Sequence, residues 1–71
     1  MRYDREVIAG NLRACRARVR MTQEDVAKAI GCSEATIQNY EAGTVGISYE
    51  NAWALCDLFG ISLDELGCRT A

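Results

Sequence analysis

MTQEDVAKAIGCSEATIQNYEAG, residues 21–43, is the stretch that decides how this chain folds. Thr22 offers a hydroxyl cap with Asp25 three residues on, a capping-box arrangement. Val26, Ala27 and Ile30 then supply the apolar face of a short helix that Gly31 ends. Ser33 caps the next helix, in which Ile37 and Tyr40 sit three apart and face inward, and Gly43 marks the stop. Only Gly31-Cys32-Ser33 separates the two, a link too short for a hairpin with a generous loop and suited to a steep crossing. The periodicity leaves Ser33, Glu34, Ala35, Thr36, Gln38 and Asn39 facing outward or sideways. That outward face carries an acid at its leading edge and no lysine or arginine.

Upstream, Ile8, Leu12, Cys15 and Val19 recur at intervals of 4, 3 and 4, the apolar stripe of a helix from about Arg5 to Val19. Downstream, Ser48 caps a fourth helix with Ala52, Leu55, Cys56 and Phe59 inward and Gly60 closing it. Ser62 caps a last short turn, SLDEL, with Leu63 and Leu66 apolar. Only Thr44 to Ile47 reads as a real loop, and there is no repeat, low-complexity segment or linker. With 71 residues, no proline and 49% hydrophobic content, the expectation is an all-α, five-helix single domain over 1–71 with its core in 5–66.

Charge is distributed unevenly behind a net −2. Residues 1–28 hold seven bases (Arg2, Arg5, Arg13, Arg16, Arg18, Arg20, Lys28) against four acids (Asp4, Glu6, Glu24, Asp25). Residues 29–71 hold one base, Arg69, against Glu34, Glu41, Glu50, Asp57, Asp64 and Glu65. A local basic surface can attract nucleic acid where the whole-chain charge does not report it, although such a run also reads as a solvated helix face. Cys15, Cys32, Cys56 and Cys68 are 17, 24 and 12 apart, with no CxxC pair, and the chain has no histidine. No metal and no cofactor are expected, and free thiols are, with Cys15 and Cys56 as small buried apolar side chains. No apolar run approaches the roughly 18 residues of a membrane span, and MRYDREVIAG has no signal-peptide centre. A cytoplasmic protein with no membrane partner is expected.

Two short helices joined by a tight glycine-containing turn form the helix-turn-helix pattern. With LRACR (12–16) before it and ALCDLFGISLDEL (54–66) after it, the chain from Leu12 through Leu66 resembles the phage repressor and Cro-like regulators of the XRE family. The resemblance implies a lambda-repressor-like DNA-binding domain with its helix-turn-helix at helices 2 and 3. It further implies a sequence-specific transcriptional regulator of double-stranded DNA, a repressor in the phage style, that reads the major groove with helix 3 (33–42). By the same resemblance Glu34, Ala35 and Asn39 occupy base-reading positions with Gln38 close by, while Ser33 and Thr36 lie near phosphate. Gln23 matches the glutamine that in relatives contacts a phosphate and braces the first residue of the recognition helix. Arg16 and Glu41 match a partly buried ion pair that orients helix 3.

A helix in the major groove needs groups matched to base edges, and attraction can come from elsewhere. Glu34 can accept from cytosine N4, Asn39 or Gln38 can pair with adenine, and Ala35 can pack on a thymine methyl. Glu34 would then specify rather than attract; it also has the simpler reading of stabilising the positive end of helix 3. The chain departs from relatives in having Arg20 where they commonly have glycine, and TVGIS where they have a basic, proline-containing loop. Thr44 and the amides of Val45 or Gly46 must therefore serve the phosphates, with Arg13, Arg18, Arg20 or Lys28 at the flank. Weak monomer binding follows, and with it dependence on a homodimer that sets two recognition helices about 34 Å apart on an inverted-repeat operator.

Tyr49, Trp53, Leu58, Ile61 and Leu66 offer an apolar C-terminal strip for that homodimer, or else simply widen the core. The rival reading is a protein-interaction module, antitoxin-like or anti-repressor, suggested by the acidic second half and the uncharged loop. With no histidine and no clustered acids, no acid, base and nucleophile set can be assembled, and the chain is not expected to be an enzyme.

Overall fold

Each helix begins where a side-chain oxygen accepts a first-turn amide and ends where the backbone turns left-handed. In the computed structural model these are α1 Arg5–Val19, α2 Gln23–Ile30, α3 Glu34–Ala42, α4 Tyr49–Phe59 and α5 Leu63–Leu66. The structure describes residues 2–69, residues 2 and 69 by their backbone alone. Asp4, Thr22, Ser33, Ser48 and Ser62 are the N-caps, and at Thr22 and Ser62 the capping box is complete. At the first of these boxes the Thr22 hydroxyl accepts from the Asp25 amide and the Asp25 carboxylate accepts from the Thr22 amide, both at 3.0 Å. These bonds from Thr22 hold the Asp25 carboxyl below the usual carboxylate range.

The helices converge on one core in which Leu12, Val26, Ile37, Leu55 and Leu66 are buried almost completely. Full burial of a side chain of this size stabilises by about 1.5–3 kcal/mol. α1 adds polar ties to this core. Helix C-termini leave carbonyls without partners, and α1 side chains reach three of them. Arg13 donates to the Glu41 carbonyl at the end of α3, and Arg18 to the Phe59 carbonyl of α4 at 3.0 Å. Asn11 donates to the Leu66 carbonyl of α5 at 2.8 Å. Tyr40, buried on α3, accepts from the Asn51 side-chain amide at 2.9 Å and so ties α3 to the first turn of α4.

Two details differ from the sequence expectation, and a third decides between two alternatives. A two-residue antiparallel pairing, β1 Arg2–Tyr3 with β2 Cys68–Arg69, joins the two ends of the otherwise all-α domain. Two-residue strands carry no periodicity, so nothing in the sequence announced them. Val19, expected inward, is exposed because α1 runs past the core at its last turn. Leu66, placed either in a surface strip or in a wider core, is fully buried and belongs to the core.

Arg20 ends α1 in the left-handed region at φ 58°, the only non-glycine residue with positive φ among the described residues. An L-side chain there meets its own carbonyl, a cost of about 1–2 kcal/mol that glycine avoids, partly offset by glycine's greater freedom in the unfolded chain. Arg20→Gly is therefore expected to raise stability by about 0.5–1 kcal/mol, read as a higher urea midpoint at unchanged slope. A lower midpoint would show that the Arg20 side chain contributes more than its backbone costs.

Candidate nucleic-acid interface

Burial of Ile37, Tyr40 and Glu41 fixes which side of α3 is left open. Glu34, Ala35, Gln38, Asn39 and Ala42 are exposed, and at about 100° per residue they cover an arc of about 140°. The first four are the residues predicted to meet bases. Ala42, seven residues after Ala35, extends that face by a little under one turn of helix beyond Asn39; the same spacing rule would have found it. The Asn39 side-chain amide makes no hydrogen bond among the described residues, which leaves both its donor and its acceptor available. Gln38 donates to the Glu34 carboxylate at 3.4 Å, so these two side chains act together along one edge.

At the start of α3 the Ser33 hydroxyl accepts the Thr36 amide at 3.2 Å and lies 2.9 Å from the Thr36 hydroxyl. One hydroxyl proton serves that contact and the other remains for an outside acceptor such as a phosphate oxygen. Thr44 is placed differently. Its hydroxyl donates to the Asn39 carbonyl at 3.3 Å, closing the end of α3, so in this arrangement its proton is not offered to a phosphate.

The orientation of α3 is set by Glu41, buried at 5% exposure. Its carboxylate accepts from Arg16 Nε at 2.8 Å and Arg16 Nη2 at 3.0 Å, the two-pronged geometry that suits a guanidinium. Gln23 Nε2 adds a third bond at 3.2 Å, and Arg16 also donates to the Met21 carbonyl. Glu41 in turn raises the pKa of Arg16, chiefly through the hydrogen bonds. The predicted pair is thus present, with an unforeseen third member. Gln23 was expected to brace the first residue of the recognition helix; its amide instead reaches Glu41, near the other end of α3. One amide hydrogen and the carbonyl of Gln23 stay free beside the first turn of α2.

The helix-turn-helix family profile matches residues 12–66. The chain belongs to the helix-turn-helix family of DNA-binding transcriptional regulators. No curated protein sequence matches significantly. The restriction-modification controller protein C.AhdI of Aeromonas hydrophila is 25% identical, with a TM-score of 0.82 over 89% of this chain and 96% of that one. The SOS-response transcriptional repressor LexA of Eubacterium rectale is 27% identical, TM-score 0.85, over 94% of this chain and 71% of that one. The clp gene regulator ClgR of Corynebacterium glutamicum is 27% identical, TM-score 0.81, over 87% of this chain and 66% of that one.

For a helix-turn-helix protein the cations flanking α3 matter, and here most are already engaged. Arg13 and Arg18 hold carbonyls of α3 and α4, and Lys28 pairs with Glu24 at 3.0 Å on the surface of α2. Of the four expected at the flank, Arg20 is the one whose side chain makes no hydrogen bond or ion pair among the described residues. The sequence could not separate these roles, since an exposed arginine and a carbonyl-binding one look alike in composition.

On the far side, Tyr49 and Trp53 are 50% and 47% exposed, whereas Leu58 and Ile61 pack partly buried against the core and Leu66 lies within it. The Tyr49 and Trp53 rings meet edge to face with centroids 6.2 Å apart. Trp53, Ile61 and Leu63 also border a cleft between α4 and the start of α5. Of the thiols, Cys56 lies at the floor of that cleft. Cys15, Cys56 and Cys68 are buried and Cys32 is half-buried, and all four are free. Burial, reinforced by Cys68 nearby, pushes the Cys56 thiol up to about 11, and burial raises Cys32 and Cys68 as well. These are neutral apolar side chains at physiological pH. No cluster among the described residues has the makings of a metal site, and no helix there is long and apolar enough to cross a membrane.

Proposed function

We propose that this regulator represses transcription by occupying an inverted-repeat operator as a homodimer, with α3 in the major groove of each half-site. The observation that carries the reading is the open face of α3: five exposed residues on one arc, an unengaged Asn39 amide at one edge of it, and an axis locked from behind by Arg16, Glu41 and Gln23. A rigid helix that presents amide, carboxylate and methyl groups is suited to base edges rather than to phosphates. The phosphate partners supported by the geometry are the spare hydroxyl proton of Ser33 and Thr36 and the free amide of Gln23 at the positive end of α2. Thr44 keeps only its backbone for that role while its hydroxyl caps α3.

The exposed Tyr49–Trp53 pair is the surface offered for dimer formation, since an aromatic pair of this exposure beside a cleft gains most from a second apolar surface. The deciding experiment is enrichment of a random duplex pool by the protein at low and moderate salt, followed by sequencing. An enriched inverted repeat bound with a steep salt slope is expected. Trp53→Glu is expected to turn a sedimenting dimer into a monomer and to lower affinity for the paired site at least tenfold, with binding to a single half-site unchanged. Folded protein that enriches no sequence would establish the protein-interaction reading instead, to which the acidic second half of the chain belongs.

A further inference from the structure

The loop after α3 has no cation of its own, yet it is not bare. A β-carbon added at Gly46 would fall 2.0 Å from the Tyr3 hydroxyl and 3.0 Å from the ring carbon that bears it. Gly46 does not have a positive φ, so it is the room over its backbone, and not a special conformation, that the glycine supplies. At the other end of the loop, a β-carbon at Gly43 would meet the Arg5 carbonyl oxygen at 3.6 Å. The N-terminal segment therefore runs alongside the loop, Arg5 by Gly43 and Tyr3 over Gly46. Its path is held from both sides. Tyr3 pairs with the fully buried Cys68, and the Asp4 carboxylate accepts from the Glu6 and Val7 amides at 2.9 and 3.3 Å.

We infer that Tyr3 and Arg5 form the phosphate grip for which the loop itself carries no charge. The inference rests on α3 being the groove-binding helix. The loop continues directly from the end of α3, so the strand that borders the groove on that side passes along it. There it meets a hydroxyl that is both donor and acceptor and a guanidinium with no ion pair among the described residues. Tyr3 is 40% exposed and Arg5 is exposed, which leaves both within reach of the duplex. The Asp4 carboxylate is occupied by two amides, and Glu6 projects about 100° around α1 from Arg5, so neither acid covers the arginine. Charge complementarity favours a nucleic-acid backbone over any other occupant of this rim.

The test is the salt dependence of binding to the enriched duplex and to an unrelated one, by fluorescence anisotropy. Arg5→Gln is expected to weaken both by a similar factor and to reduce the log–log salt slope by about 0.9 per protomer, and Arg5→Lys to restore it. Tyr3→Phe and Gly46→Ala, the latter displacing the hydroxyl without removing it, are expected to weaken binding about threefold to tenfold at unchanged slope. The double variant is expected to be no weaker than either single one. Thermal unfolding of each variant reports its folding independently. Wild-type binding with a steep slope, matched by folded Arg5→Gln and Tyr3→Phe, overturns the grip and leaves the reading of α3 standing. No salt-sensitive duplex binding by the wild type overturns both.

Discussion

Arg16→Ala is expected to destabilise the domain by about 3–5 kcal/mol, because it strands the buried Glu41 carboxylate with Gln23 as its remaining side-chain donor. A domain of this length has about 4–10 kcal/mol of total stability, so the loss removes a large share of it and unfolds the protein outright at the low end of that range. The converse change is milder for a geometric reason. Arg16 is 26% exposed and Glu41 5%, so in Glu41→Ala the guanidinium keeps its bond to the Met21 carbonyl and turns toward water. A cost of about 1–3 kcal/mol is expected there. The paired replacement Arg16→Met with Glu41→Leu removes both charges and fills similar volume, and is expected to recover most of the loss. Urea unfolding of the three variants checks this. Equal costs for the two single changes would mean that the asymmetry in burial does not govern the pair. If α3 is loosened in the double variant, its stability should recover while its discrimination between duplexes does not, which would separate the orienting role of the pair from its energetic one.

What could be read from the sequence was what is local. Thr22 with Asp25, and Ser33, Ser48 and Ser62, announce their helices because a cap acts within one turn of itself, and all are caps in the structure. The faces of α3 followed from Ile37 and Tyr40 alone, since a period of 3.6 leaves no freedom once two buried positions are known. The roles that escaped depend on contacts between residues far apart in the chain. Arg13 and Arg18 read as free surface charges, and only packing shows that carbonyls of α3 and α4 lie within their reach. Trp53 and Leu66 both read as strip residues, and the one that is swallowed by the core is decided by where α5 folds back, not by its own neighbours. Tyr3 and Gly46 lie 43 residues apart and neither has any signal of the other in its flanks. For the same reason the exposed residues of α3 were legible as a set, because they share one helix, whereas the contacts of Arg13, Arg18, Tyr3 and Gly46 join segments far apart in the chain.

Asn39→Ala is expected to lower affinity for the enriched operator by about 1–3 kcal/mol per half-site, about 5- to 150-fold, and twice that free energy for a dimer on two half-sites. Binding to unrelated duplex should hardly change, because an exposed amide at the end of α3 carries no charge for phosphates to feel. Stability should hardly change either, since the Asn39 side chain makes no hydrogen bond among the described residues. Glu34→Ala is expected to lower operator affinity as well and, unlike Asn39→Ala, to raise binding to unrelated duplex. Removing its negative charge lessens repulsion of the backbone and strengthens binding to unrelated duplex, while the loss of an acceptor for cytosine weakens the operator, so the ratio between them falls from both sides. The two roles of Glu34 come apart in this one variant. As an acid in the first turn of α3 it contributes about 0.3–1 kcal/mol to stability, and if that were its whole purpose, Glu34→Asp would restore both stability and discrimination. If Glu34 reads a base, Glu34→Asp restores the helix but not the discrimination, because a side chain one methylene shorter keeps the charge at the helix end and fails to reach the groove floor. Anisotropy titrations of the operator and of a scrambled duplex, alongside urea midpoints for the same three proteins, distinguish these outcomes.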